Sequence, residues 1–93
     1  MYIVHTTNQF EKDYKKIQKS GQKNTQELKT IMQRLANAEK LEPKYKDHTL
    51  IGKYKGRREC HIAPDWLLIY KVIENENRII FERTGSHSEL FKQ

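Results

Sequence analysis

The sequence predicts an α+β fold: an N-terminal strand and a two-helix hairpin packed on a twisted, mostly antiparallel sheet of four to five strands. Three observations carry this. Apolar residues recur at helical spacing through roughly the first third of the chain. Beyond Pro43 the character changes, and twelve of the twenty residues from Ile62 to Phe81 are apolar or aromatic, rich in β-branched types. Turn signals at Ala63-Pro64-Asp65 and Asn75-Glu76-Asn77 divide that stretch into hairpin-linked strands.

Tyr2 to Thr6 is short and β-prone and forms the first strand. Thr6, Thr7 or Asn8 caps a helix whose Phe10, Tyr14 and Ile17 make one apolar stripe, and Ser20-Gly21 ends it. A second helix starts near Asn24 or Thr25, carries Leu28, Ile31, Met32 and Leu35, and fades by Asn37. Gly52 and Gly56 punctuate a short strand around Lys53 to Lys55. Arg57 to Ile62 alternates charged and less polar residues as a half-exposed strand does. Trp66 to Ile73 is the most buried strand, Arg78 to Thr84 returns beside it, and Ser86 to Phe91 is a short tail with one helical turn. In the resulting order β–α–α–β–β–β–β the hairpin of helices covers one sheet face. The other face is left free, at least in part, for a large partner.

Ninety-three residues make a single domain, 1–93. Apolar residues at 35% and charged residues at 32% indicate a modest core, one that a partner can supplement. The longest apolar run, Leu67 to Tyr70, is far short of the ~18 residues of a membrane span. The first ten residues lack the basic and apolar regions of a signal peptide, so the expectation is a cytoplasmic protein without membrane association. Cys60 stands alone, which rules out an intramolecular disulfide and any metal site built on several cysteines.

The net charge is +6, and Lys44, Lys46, Lys53, Lys55, Arg57 and Arg58 face only Asp47 between them. Such a patch attracts polyanions, nucleic acid being the usual one; the alternative is a solvated surface that keeps the chain soluble. Lys46, Lys53, Lys55 and Arg57 are the candidates to meet a phosphate backbone.

Three of the four histidines, His48, His61 and His87, lie in the β-rich half, while His5 sits on the first strand beside no motif. Imidazole both accepts and donates a proton near neutrality. The spacings of 13 and 26 residues contain no H-x-x-x-H pair, so a metal-free acid–base site is preferred to a zinc site. Other residues keep two readings each. Asp65 is a turn cap or a catalytic carboxylate, and Trp66 is core or a stacking platform. Arg83 grips a phosphate or balances Glu59 or Glu82. Phe91 is a tail anchor or a second stacking surface. Metal-free RNA cleavage needs a base for the 2′-hydroxyl, an acid for the departing 5′-oxygen and cations for the phosphate. Histidines, a carboxylate and several Lys and Arg are that set of parts.

Taken in order, four strings carry more specific information: Tyr45-Lys46-Asp47-His48, Gly56-Arg57-Arg58-Glu59-Cys60-His61-Ile62, Pro64-Asp65-Trp66-Leu67-Leu68-Ile69-Tyr70, and Arg83-Thr84-Gly85-Ser86-His87-Ser88-Glu89-Leu90-Phe91. Together they closely resemble the YafQ-like branch of the RelE/ParE superfamily of bacterial toxins. The match is strong over residues 43–91, and the N-terminal helices agree in pattern and length. The resemblance implies a RelE-like fold and the toxin of a type II toxin–antitoxin system. It implies a metal-independent, cofactor-free mRNA endoribonuclease that acts in the ribosomal A site by 2′-hydroxyl attack. It also implies an acidic antitoxin that wraps the toxin and carries a DNA-binding segment. The implied functional positions are His48, His61, Asp65, Trp66, His87 and Phe91. His87 would be the general acid, Asp65 or His61 the base, and His48 would orient substrate or share proton transfer. Arg83 would steady the phosphate, and Trp66 and Phe91 would position a base. Thr49 stands where relatives commonly have Pro. The alternatives are a ParE-like gyrase inhibitor, whose branch lacks this histidine set, and a non-catalytic basic RNA-binding module.

Overall fold

Capping chemistry begins and ends each helix of the hairpin. In the computed structural model, which describes residues 1–91, Thr7 accepts the Phe10 amide at 3.0 Å and opens α1 (Asn8–Ser20). Gly21, at φ 66°, takes the left-handed conformation that closes it, a geometry that costs a residue with a Cβ. Asn24 accepts the Gln26 and Glu27 amides and opens α2 (Thr25–Ala36).

The strands β1 (Ile3–Thr6), β2 (His48–Thr49), β3 (Arg58–Ala63), β4 (Trp66–Ile73) and β5 (Arg78–Gly85) form one sheet in the order β1-β5-β4-β3-β2. Only β1 is parallel to its neighbour; the other pairs are antiparallel. A short helix, α3 (His87–Leu90), follows β5 directly. Phe10 and Ile17 of α1 and Leu28, Ile31 and Leu35 of α2 bury against Cys60, Ile62, Trp66, Leu68, Tyr70, Ile79 and Phe81 of the sheet. Alternation along β4 sends Leu67 and Ile69 to the opposite face, under Leu90, Leu50 and Tyr54. The face expected to be free is thus partly roofed by α3 and the loop before β3.

One expected strand is absent. Lys53 and Tyr54 lie in a single 3-10 turn, Gly52–Tyr54, that Lys55 closes, and the strand paired to β3 is His48–Thr49. The Leu50 amide donates to the Arg57 carbonyl at 2.9 Å and pinches off the loop between them. Gly52 and Gly56, at φ 69° and 88°, are corners of that loop, not the ends of a strand.

After α2 the chain is tied down by Arg34, whose guanidinium forks onto Glu42 at 2.8 and 3.0 Å and also reaches Glu39 at 3.0 Å. Those hydrogen bonds pull the Glu42 carboxyl from 4.5 down to about 2. A depressed carboxyl contributes stability above its unfolded value and loses it as pH falls through the folded one. The tie is therefore expected to hold at pH 4.5 and release only as pH approaches about 2. Carbon-13 titration of the Glu42 carboxyl checks this, and a midpoint near 4.5 would contradict it.

Candidate active site

The site is assembled by strand pairing. His48 on β2 lies opposite Glu59 on β3, and His61, two residues along β3, shares the Glu59 face. Both His61 and Gly85 pair with Leu67, so β5 ends level with His61 across β4, and α3 delivers His87 at its first position. A bulge between His61 and Ala63 falls at this end of β3. The His48 and His61 ring centres are 6.4 Å apart, and those of His61 and His87 are 5.5 Å apart. His5 lies on β1, at the far edge of the sheet.

Each imidazole is held by an oxygen that can only accept, which sets its tautomer. Asp65 accepts from His87 twice, from Nδ1 at 2.8 Å and from the backbone amide at 3.0 Å. His87 Nε2 is left as the working nitrogen. These two donors hold the Asp65 carboxyl below its usual range, the backbone amide contributing more than the ring. Asp65 is thereby a poor base and a good orienting group. Glu59 accepts from His61 Nε2 at 3.1 Å, leaving Nδ1 with the lone pair of the neutral ring. His48 Nδ1 donates to the Lys46 carbonyl at 2.6 Å, and its Nε2 lies 3.7 Å from Glu59. Glu59 is only 4% exposed, and a carboxylate buried so far needs a donor, which His61 Nε2 supplies. Asp47 anchors the His48 segment by accepting from Tyr70 at 2.6 Å and Arg58 at 3.3 Å.

Beside the histidines lies an open cleft of about 560 Å³, lined by His61 and His87 and flanked by Lys44, Tyr45, Lys46 and Glu27. Phe91 packs edge-on against Tyr54 with ring centres 5.4 Å apart, and lies 6.3 Å from His87. The Tyr54 hydroxyl donates to the Leu90 carbonyl and joins the loop to α3. The structure thus brings together His48, His61, Asp65, His87, Lys46 and Phe91.

The structure places the other candidate residues as follows. Trp66 is 3% exposed and donates its indole N–H to Thr84 Oγ1 at 2.9 Å; it belongs to the core and offers no face to a base. Arg83 forks onto Asp13 of α1 at 2.8 and 3.1 Å, not onto Glu59 or Glu82. Arg57 takes Glu82 at 2.8 Å. Lys53 and Lys55 are exposed on the loop before β3. Cys60 is fully buried, and burial pushes its thiol up, away from reactivity.

The site residue that sequence reasoning missed is Glu59, which it considered only as a counter-charge for Arg83. Its signal was present: Glu59 and His61 are two apart on a strand and must share a face. Glu59, His61 and His87 also offer ligand atoms that all lie within 4.8 Å of one another, a nitrogen and oxygen set suited to a borderline metal ion. Spacing along the chain hid this cluster because strand pairing, not a helical repeat, creates it.

A family model described as the bacterial toxin YafQ of type II toxin–antitoxin systems matches residues 2–92. The mRNA interferase toxin YafQ of Escherichia coli K12 is 44% identical over 89 residues, covering 95% of this chain and 94% of that protein. In the crystal structure of the E. coli DinJ–YafQ complex, a chain 41% identical matches with a TM-score of 0.87, covering 98% of this chain and 99% of its own. The metal-bound toxin from Helicobacter pylori matches at 44% identity with a TM-score of 0.90, covering 98% of this chain and all 100% of its own. The fold thus falls among the small α+β toxins of type II toxin–antitoxin systems. Within that class the chain belongs to the YafQ family. None of its described helices is long and apolar enough to cross a membrane.

Proposed function

We propose that this toxin is a ribosome-dependent mRNA endoribonuclease that works by metal-independent acid–base chemistry in the cytoplasm, where message is translated. The observation that carries this is the pair of carboxylate–imidazole couples, Glu59–His61 and Asp65–His87, whose rings stand 5.5 Å apart at a cleft with lysines on its rim. In each couple a carboxylate fixes the tautomer and steadies the imidazolium form. His61 Nδ1 takes the proton of the 2′-hydroxyl as that oxygen attacks the adjacent phosphorus. The bond from phosphorus to the 5′-oxygen breaks, and His87 Nε2 protonates the departing oxygen, leaving a 2′,3′-cyclic phosphate and a 5′-hydroxyl. Lys44 and Lys46 attract the message backbone. His48 completes the set by sharing Glu59.

Ninety-three residues supply few groups that read bases, so the ribosomal A site holds the message in line and provides effective molarity. The E. coli relative crystallises with DinJ. By that likeness the partner here is an acidic antitoxin, drawn to the +6 charge. A neutral imidazole has one lone pair, for a proton or for a metal. An ion held by Glu59, His61 and His87 therefore competes with proton transfer and does not drive it.

In a purified translation system the toxin is expected to cut a defined message within its reading frame, only when ribosomes are present and equally well with a chelator selective for transition-metal ions that leaves the ribosomal Mg²⁺ in place. Intact message would overturn the nuclease reading, cutting without ribosomes would overturn their requirement, and loss of cutting on chelation would overturn metal independence.

A further inference from the structure

The last residues of β5 are stabilised in an unusual way. β1 ends at Thr6, opposite Phe81, so residues 82–85 have no strand on that side. Side chains from the start and middle of α1 take its place. The Thr7 hydroxyl donates to the Glu82 carbonyl at 2.8 Å, and Asp13 accepts the Thr84 amide at 3.2 Å. The same Asp13 carboxylate accepts from Arg83 Nε and Nη2. Its side chain is 10% exposed and the Arg83 side chain 26%, so this pair is shielded from solvent. The neighbouring Lys16–Glu89 pair ties α1 to α3 but is 74% and 40% exposed, and contributes little by comparison. Thr84 passes the constraint on: its hydroxyl donates to the Leu67 carbonyl at 2.8 Å and accepts the Trp66 indole. Gly85, Ser86 and His87 follow at once, and the Ser86–Glu89 capping box begins α3.

We propose that Asp13 is a positioning residue for His87: by standing in for the missing strand it fixes the end of β5 and so the place of the imidazole. This rests on the nuclease reading for its consequence in catalysis, but not for its structural content. A misplacement of about 1 Å at a catalytic group can cost up to a hundredfold in rate. Asp13 touches neither imidazole, so it acts through Thr84 and not on the substrate.

The test compares wild type with Asp13→Ala, which removes Oδ2, the shared acceptor of the Thr84 amide and Arg83 Nε, and Oδ1, the acceptor of Arg83 Nη2. Asp13→Ala/Arg83→Gln guards against misfolding from an unbalanced guanidinium. Amide hydrogen exchange is read at Thr84 and His87, with the paired segments Tyr70–Ile73 and Arg78–Phe81 reporting the integrity of the sheet. In both variants the His87 amide, which bonds Asp65 and not Asp13, is expected to exchange about tenfold faster while the paired segments stay as in wild type. On ribosomes, kcat is expected to fall about tenfold with KM changed by less than about twofold. Unchanged exchange at His87, or an unchanged kcat, would overturn the proposal. Failure of wild type to cut would instead sink the nuclease reading, and exchange at His87 would still decide whether Asp13 places that residue.

Discussion

His87→Ala is expected to lower message cleavage on the ribosome by at least about a hundredfold, with the fold retained. The fold survives because the His87 side chain is half exposed and its removal opens no cavity. The rate falls because Asp65 occupies Nδ1 and leaves Nε2 as the only nitrogen free to protonate a departing 5′-oxygen. Without it the oxygen leaves as an alkoxide, with no general acid to share the developing charge. Asp65 cannot substitute, since a carboxyl held below its usual range by the His87 amide and ring carries no proton near neutrality. A variant cutting within about twofold of wild type would remove His87 from the chemistry.

Glu59→Gln is expected to cost about a hundredfold in kcat while leaving KM close to wild type. Glutamine has the same shape, so the core around position 59 stays filled. What changes is the charge. The carboxylate, 4% exposed, accepts from His61 Nε2, which keeps the lone pair on Nδ1. A neutral amide, whichever of its atoms meets Nε2, no longer steadies the imidazolium that forms as Nδ1 takes the 2′-hydroxyl proton. His48 loses the same counter-charge at 3.7 Å. Kinetics on a ribosome-bound message check this, and a retained kcat would mean that Glu59 is only a packed counter-ion.

Much of the fold was legible because its cues are local. Phe10, Tyr14 and Ile17 repeat at helical spacing, and Asn24 and Gly21 cap and stop, so the hairpin of helices needed no tertiary information. The density of β-branched residues from Ile62 to Phe81 did the same for β4 and β5. The loop before β3 misled because Gly52 and Gly56 punctuate strands and loop corners alike, and only a bond between Leu50 and Arg57 distinguishes them. That β1 runs parallel beside β5 depends on a crossover through both helices, which no local pattern records.

The site divides the same way. His48, His61, Asp65 and His87 were named from residue type and motif order, yet their meeting depends on the pairings His48 with Glu59 and Leu67 with both His61 and Gly85. Trp66 kept both readings, core the more usual and platform the other, and Thr84, which receives its indole, places it in the core. Arg83 finds its carboxylate 70 residues away in Asp13, on a helix whose polar face looks like ordinary solvated surface in the sequence.

The most direct measurement of the two-histidine mechanism places a single sulfur at the bridging 5′ position of the scissile linkage in a ribosome-bound message. A thiolate leaves without protonation, so the general acid becomes dispensable while the general base does not. On this substrate His87→Ala should cut at close to the wild-type rate, and His61→Ala should remain slow. Rescue of His61→Ala in place of His87→Ala would reverse the assignment, and rescue of neither would contradict general-acid catalysis by these histidines.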